Sequence, residues 1–268
     1  MQSFRARYQL MSIDRVTNLL TLCDSSERRF PATDLYNEGW MLRVILDWFA
    51  SHRDVDHELA ISNGASWYSE ALLPSQFLSR VRGDPLGESW THADGVIGDF
   101  LIGESGDGDL KLKNNPGQFV VTEAKMFSKL SAGVTRAKYY NQAARNVACI
   151  AEVIYRAGMS PANLESIGFY VVAPEVRIKE GIFEKYMETD SIRSTVQRRV
   201  EEYGEPEKEK WYLEQFLPLL DVIDVRQIAW EEIVEFIAGV DETNGMLFKD
   251  FYNKCLKYNQ SVAKRYAL

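Results

Sequence analysis

Glu123 and Lys125 lie two residues apart, directly after the apolar run Phe119-Val120-Val121. Side chains alternate along a β-strand with period 2, so a strand here would place the carboxylate and the ammonium on one face. The carboxylate would then be able to bind a divalent cation, with the ammonium beside it in reach of a water or a phosphate oxygen. That is chemistry for phosphodiester hydrolysis. Taken alone, such a pair is more often a solvated ion pair on a strand surface, so its meaning depends on the elements around it.

A second acidic residue, Asp94, stands at the start of the strand-like segment His92–Ile102. Turn residues follow in Gly103–Asp109 and again in Asn114–Gly117, where they interrupt the strands. Two strands joined by such a connection predict an antiparallel hairpin that brings Asp94 close to Glu123. Two carboxylates beside a lysine repel one another unless a cation lies between them. The alternative is that Asp94 is a turn residue at the entry to a strand.

Residues 131–158 are rich in alanine and contain no proline, which predicts a helix that starts at Ser131. A polar line at spacings of three and four follows one side of it: Thr135, Lys138, Gln142, Arg145 and Asn146. Five basic residues and no acidic one occur between positions 125 and 149: Lys125, Lys129, Arg136, Lys138 and Arg145. Contact with phosphate requires such a local excess, even in a chain of net charge −8. An ordinary solvated helix face is the alternative.

The order of these elements resembles the PD-(D/E)XK nuclease superfamily, in which an Asp begins one strand, Glu-x-Lys closes the next, and a helix with a Gln follows. The superfamily pattern also has an earlier helix with a glutamate, which Glu38 matches at the start of an apolar helix. A later strand matches Ile167–Ala173, so the resemblance covers about residues 31–174. Ala93 stands where the motif has proline, a position at which proline is commonly absent.

The resemblance implies a metal site for Mg²⁺, with Mn²⁺ as a substitute. Asp94 and Glu123 would be its ligands, and the Ala124 carbonyl a third. Glu38 would complete the site directly or through water. A metal-activated water would attack the phosphodiester in line, leaving 5′-phosphate and 3′-hydroxyl ends.

The resemblance also implies roles for the remaining residues of the motif. Lys125 would orient or help to deprotonate the attacking water and balance the charge that develops on the phosphate. Gln142 would hold Lys125 or the substrate backbone. Arg145 would be a phosphate clamp. Three more basic residues would also contact the substrate: Lys138, Arg136 and Lys129.

The expected architecture is a single α/β domain over residues 1–268. Its restriction-endonuclease-like core, about residues 31–174, would hold a central mixed sheet flanked by helices, and about residues 175–268 would form a mainly helical C-terminal lobe. Within that lobe Val222–Ile228 predicts a short strand that joins the sheet, and residues 241–268 predict a closing helix. With 46% hydrophobic residues, 268 residues are enough to bury a sizeable core.

Composition narrows the class of protein. The three cysteines are widely spaced and lack a CxxC motif, which predicts reduced thiols in a cytoplasmic protein. The first thirty residues carry charges throughout and have no apolar run of signal length, and no stretch approaches the roughly 20 apolar residues that span a bilayer. We therefore expect no membrane partner.

The functional expectation is a metal-dependent nuclease that acts on nucleic acid, with DNA favoured, in a repair or defence system. The acidic net charge predicts weak or partner-assisted binding, as a homodimer or with a partner protein. Two alternatives remain open. One is a catalytically inactive module on the same fold that binds nucleic acid or protein. The other is an acidic interaction protein in which Glu-x-Lys is only a surface pair.

Overall fold

The computed structural model describes residues 13–103 and 109–260. Residues 104–108 of the predicted turn, the first twelve residues and residues 261–268 lie outside this range. The strands are β1 (Ser66–Leu73), β2 (Thr91–Gly98), β3 (Phe100–Ile102), β4 (Leu110–Leu112), β5 (Gln118–Ala124), β6 (Ser166–Ala173) and β7 (Asp224–Ala229). The helices are α1 (Glu38–Ser51), α2 (Gln142–Arg156), α3 (Glu175–Lys179), α4 (Glu184–Met187), α5 (Thr189–Tyr203), α6 (Pro206–Trp211), α7 (Leu217–Leu220), α8 (Trp230–Val240) and α9 (Glu242–Tyr258).

Five strands form one mixed sheet in the order β1-β2-β5-β6-β7. β2 runs antiparallel to both β1 and β5, whereas β5, β6 and β7 are parallel. Every residue of β5 is buried, because helices cover both faces of the sheet there, and this explains the uninterrupted apolar runs of the inner strands. The predicted α/β class and central mixed sheet are confirmed, as is the strand in Val222–Ile228, which is β7.

The predicted strand from His92 to Ile102 is divided in two. Gly98 has φ of +148°, and a Cβ added there would lie 2.1 Å from the carbonyl oxygen of Gln118, so only glycine fits. β2 therefore ends at Gly98, and the chain turns into β3, which pairs with β4 in a separate two-stranded sheet. The predicted antiparallel pairing of β2 with β5 is correct and extends from Gly95 opposite Thr122 to Gly98 opposite Phe119.

Two helical layers cover the sheet. On one face, α1, α8 and α9 pack against side chains such as Ile97, Val120 and Val172. On the other face, α2, α5 and the π-helical segment Tyr212–Phe216 pack against side chains such as Phe119 and Val121. The described residues after 174 are mainly helical, as expected, and they supply strand β7 and contribute to both layers.

The predicted start of the long helix at Ser131 is wrong. α2 begins at Gln142, and the side chain of Asn141 caps it by accepting a hydrogen bond from the Ala144 N–H at 3.0 Å. The preceding residues form a loop closed by two backbone hydrogen bonds between Val134 and Ala137, both 3.0 Å. Thr135, Arg136 and Lys138 therefore do not share a helical face with Gln142.

Strand β1 was not predicted from the sequence. Glu70, in its middle, has φ of +61° and interrupts the ladder between the pairs Ser69–Gly95 and Ala71–Ala93. The register is the same on both sides of Glu70, and burial alternates along the strand. In the sequence, the adjacent apolar residues Trp67-Tyr68 and Leu72-Leu73 hide this period of 2.

No helix among the described residues is both long and apolar enough to cross a bilayer. Cys23, Cys149 and Cys255 are buried free thiols, as expected from their spacing.

Candidate active site

Glu123 and Lys125 lie where β5 ends between the two helical layers. Glu123 is the penultimate residue of the strand and is only 2% exposed, and Lys125 follows the strand directly. The Lys125 ammonium forms an ion pair with Oε1 of Glu123. The prediction that the two side chains share one face is thus confirmed, and the pair is buried instead of solvated.

Asp94 lies on the neighbouring strand β2, beyond the last paired residues, Gly95 and Thr122. Its Oδ2 accepts a hydrogen bond from the Ala124 N–H at 2.8 Å, in the place where a backbone carbonyl would continue the ladder. The N–H and C=O groups of an extended residue point to the same side, so the Ala124 carbonyl also faces the gap between β2 and β5. The structure brings together Asp94, Glu123 and Ala124.

The first turn of α2 holds the Glu123 carboxylate from the opposite side. The Gln142 side chain donates from Nε2 to Glu123 Oε1 at 2.6 Å and accepts at Oε1 from the Ser131 N–H at 3.0 Å. The resemblance implied that Gln142 would hold Lys125 or the substrate backbone. In the structure, the Gln142 side chain instead contacts Glu123. The Nδ2 atom of Asn146, one turn further along α2, lies 3.4 Å from Oε2 of Glu123. It stood on the predicted polar line, four residues after Gln142, but was given no role there.

Burial and the neighbouring charges perturb both ionisable groups of the pair. Burial, followed by the charge of Asp94, raises the pKa of Glu123 to about 8, although Lys125 opposes both effects. Burial by itself would lower the pKa of Lys125, but Glu123, Asp94 and Glu38 together raise it above its usual value. Lys125 is therefore an ammonium near neutral pH, and Glu123 binds a proton far more readily than an exposed glutamate does.

Glu38 is the first residue of α1, where Asn37 caps the helix by accepting a hydrogen bond from the Trp40 N–H at 3.0 Å. Its charge acts on Lys125, which places the start of α1 on the same side of the site. The described part of the chain has no group of three or more His, Cys, Asp or Glu residues gathered as a ready metal site. Glu38 is thus a neighbour of the site, and its part in holding a metal ion stays a prediction.

The donor set nonetheless fits Mg²⁺. This ion keeps several waters and is commonly held by one or two carboxylates together with substrate phosphates. Asp94 and Glu123 supply two carboxylates, and the Ala124 carbonyl faces the same gap. A divalent cation would also offset the repulsion by which the charge of Asp94 raises the pKa of Glu123.

The backbone at Lys125 is held by a contact that the sequence did not indicate. Its N–H donates to the Val172 carbonyl at 2.8 Å, and a parallel ladder would return a hydrogen bond from residue 174. That residue is Pro174, which has no N–H. The indole Nε1 of Trp230 instead donates to the Lys125 carbonyl at 2.9 Å, which secures the end of β5.

The four basic residues expected to bind substrate separate into two groups. Arg136 and Arg145 line one cleft beside the first turns of α2. Lys129 and Lys138 are exposed and do not line that cleft. The predicted continuous basic face is therefore reduced to the two arginines.

No protein-family model, curated protein or solved structure matches this chain. The assignment of a function consequently depends on the chemistry of the site.

Proposed function

We propose that this protein is a metal-dependent nuclease that hydrolyses phosphodiester bonds, with DNA as the favoured substrate, on a restriction-endonuclease-like version of the α/β fold. The observation that carries the proposal is the convergence of Asp94, Glu123 and Lys125 at the ends of two adjacent strands, with Glu123 buried. An accidental surface pair would leave both groups in solvent. A buried acid held beside a second acid and an ammonium costs stability, and functional sites are where such a cost is common.

Asp94, Glu123 and the Ala124 carbonyl would hold Mg²⁺ or Mn²⁺, with Glu38 in reach through water. When bound, such an ion polarises the phosphodiester and lowers the pKa of water. The hydrogen bond from the Ala124 N–H to Asp94 fixes the direction of that carboxylate. Gln142 does the same for Glu123. These contacts hold the carboxylates in place before any ligand arrives.

Lys125 would act as a cation. Its raised pKa keeps the ammonium charged, which suits the stabilisation of negative charge on the phosphate in the transition state better than it suits proton removal. Of the two roles suggested by the resemblance, the electrostatic one is therefore favoured. The ion pair with Glu123 holds the ammonium beside the carboxylates.

A non-catalytic binding module on the same fold is the second candidate. It is favoured by the engagement of Glu123 Oε1 with both Lys125 and Gln142, and by the lack of a third acid at the carboxyl pair within the described residues. It requires no metal affinity, whereas the nuclease does. The two candidates therefore differ in a property that is measured without knowing the natural substrate.

The test combines cleavage with metal binding. Linear, circular, single-stranded and branched DNA, and RNA, are incubated with the wild type in Mg²⁺, Mn²⁺ or EDTA, beside Asp94→Asn and Lys125→Met. Lys185→Met is the matched control, because Lys185 is an exposed lysine away from the site. The melting temperature of each protein is measured with and without the metal ions.

The nuclease proposal expects metal-dependent cleavage that both site variants lose and the control retains. It also expects a metal-induced rise in melting temperature that Asp94→Asn reduces. Wild-type protein that neither cuts any substrate nor gains stability with metal would favour the binding module. Cleavage that persists in both site variants would assign the activity to another site.

A further inference from the structure

A cleft of about 760 Å³ lies between the segment 78–90, the loop 133–136 and α2. It contains two arginines, Arg136 and Arg145, and the indole of Trp90. Hydroxyl groups of Ser89 and Thr135 also line it. Cationic, hydroxyl and aromatic groups facing one cleft make up the chemistry that binds a phosphate and an adjoining ring.

Arg145 has no hydrogen bond or ion pair with any other described residue, although it is only partly exposed and its Nε is buried. Arginine side chains removed from water are normally paired, because unpaired charge in a low dielectric is costly. Among the described residues, Arg136 makes one long contact, 3.4 Å from its Nη1 to the Gly87 carbonyl. The cleft therefore holds two guanidinium groups whose donors are largely unused, and an anion would satisfy them.

One acidic group opposes this charge. Glu88 lines the cleft, is 8% exposed, and accepts a hydrogen bond from the Ser75 hydroxyl through Oε1. Burial raises the pKa of Glu88, while the Ser75 hydrogen bond and the charge of Arg145 act in the opposite direction. The lining thus carries two arginines and one carboxylate, and Asp84, which is not among the lining residues, also interacts with Arg136.

The cleft is also placed to share a substrate strand with the carboxyl pair. Arg145 follows Gln142 by three residues on α2, so the two side chains are neighbours on the helix surface. Trp90 precedes β2, four residues before Asp94, which corresponds to about 13 Å of extended strand. A chain of nucleotides that crosses Asp94 and Glu123 is therefore able to reach Trp90 without a change in the protein.

We propose that this cleft binds one unpaired nucleotide of the substrate strand, with its phosphate between Arg136 and Arg145 and its base against Trp90. This inference rests on the proposed nuclease function and deepens it, because it makes single-stranded nucleic acid, or a duplex with an unpaired nucleotide, the preferred substrate. Trp90 is 38% exposed, so one side of its ring is accessible. A base reaches that ring only when it is released from its own stack and pair.

The experiment measures the binding of fluorescein-labelled single-stranded DNA and of the matching blunt duplex by anisotropy, in EDTA so that no cleavage occurs. The variants are Arg145→Gln and Trp90→Leu, with Arg145→Lys to retain the charge. Arg82→Gln is the control for loss of an exposed arginine outside the cleft, and Tyr155→Leu is the control for loss of an exposed aromatic ring at the far end of α2. Melting temperatures establish that each variant is folded.

We expect the wild type to prefer the single strand. Arg145→Gln and Trp90→Leu should each weaken its binding about tenfold, whereas the two controls should not. Arg145→Gln should also reduce the slope of log K against log salt by roughly 0.7, the value for one phosphate contact on a single strand, and Arg145→Lys should restore that slope. The inference would be overturned if both cleft variants kept the wild-type affinity, or if the controls lost as much affinity as the cleft variants. It would also be overturned if the wild type preferred duplex or bound no DNA.

These outcomes are separate from those of the nuclease test. Metal-dependent cleavage by a protein whose cleft variants bind normally would overturn the cleft assignment and leave the nuclease proposal intact. Binding that depends on Arg145 and Trp90, in a protein that never cuts and gains no stability from metal, would support the cleft and overturn the nuclease proposal.

Discussion

Replacing Lys125 with methionine removes the ammonium beside Glu123 and leaves a side chain of similar length. The Lys125 side chain is 13% exposed and that of Glu123 is 2% exposed, and breaking a buried ion pair usually costs about 3–5 kcal/mol because a charge remains unpaired. Here the cost should be smaller. The pKa of Glu123 is already raised to about 8 with Lys125 present, so in the variant Glu123 takes up a proton near neutral pH. The loss is then one charge-assisted hydrogen bond, about 2 kcal/mol.

A loss of that size should lower the melting temperature by roughly 4–8 °C for a chain of this length, while cleavage should fall by about 10²–10³-fold or more. Calorimetry or circular dichroism measures the first quantity, and single-turnover cleavage in Mg²⁺ measures the second. Lys185→Met should change neither. Cleavage within about threefold of the wild-type rate in a folded variant would refute the assigned role of Lys125. A loss near 5 kcal/mol would refute the argument that Glu123 becomes neutral.

Three further predictions follow from the packing around the site and in the core. Gln142→Leu removes the 2.6 Å hydrogen bond to Glu123, and we expect the affinity for Mn²⁺, measured by thermal shift, to fall about 10–100-fold. Gly95→Val should cost at least about 2 kcal/mol in denaturant titrations, because a Cβ there would lie 2.5 Å from Thr122 Oγ1. Burial lowers the pKa of His57, so the unfolded chain binds the proton first as the pH falls below about 6.5, and stability should decrease there. His57→Gln should reduce that decrease, as measured by denaturation at neutral and mildly acidic pH.

Each of these three predictions has a result that would contradict it. Gly239→Ala adds a methyl group with no atom within 4 Å, so it should not destabilise the fold, and an effect equal to that of Gly95→Val would contradict the clash. An unchanged Mn²⁺ titration in Gln142→Leu would mean that Glu123 needs no support from α2. Equal pH dependence in the wild type and in His57→Gln would show that His57 is not the titrating group.

Features that depend on a local pattern were predicted correctly. β5 and β6 are buried on both faces, and the resulting apolar runs identify them without knowledge of their neighbours. The period of a strand places Glu123 and Lys125 on one face, whatever that face meets. Glu38 at the start of an apolar helix was recognised for a similar reason, because the spacing of apolar residues in α1 repeats with the helical turn.

The predictions failed where backbone conformation or close approach overrides the pattern. Alanine content favoured a helix from Ser131, but Asn141 is a better cap and Gly133 permits a tight loop, in which an added Cβ would lie 2.1 Å from the Lys138 carbonyl oxygen. Adjacent apolar residues on both sides of the left-handed Glu70 concealed β1. In both cases a local feature decides the element, and a composition argument over many residues does not detect it.

The candidate site combines both kinds of information. The residue types at Asp94, Glu123 and Lys125, and their positions on strands, follow from the sequence, because the chemistry belongs to the side chains and the strand period is local. The burial of Glu123, its contacts with Gln142 and Asn146, and the cleft around Arg145 follow from packing. They depend on how α2 lies against the sheet, and contacts between residues distant in the chain are set by the free energy of the whole core and not by any one segment.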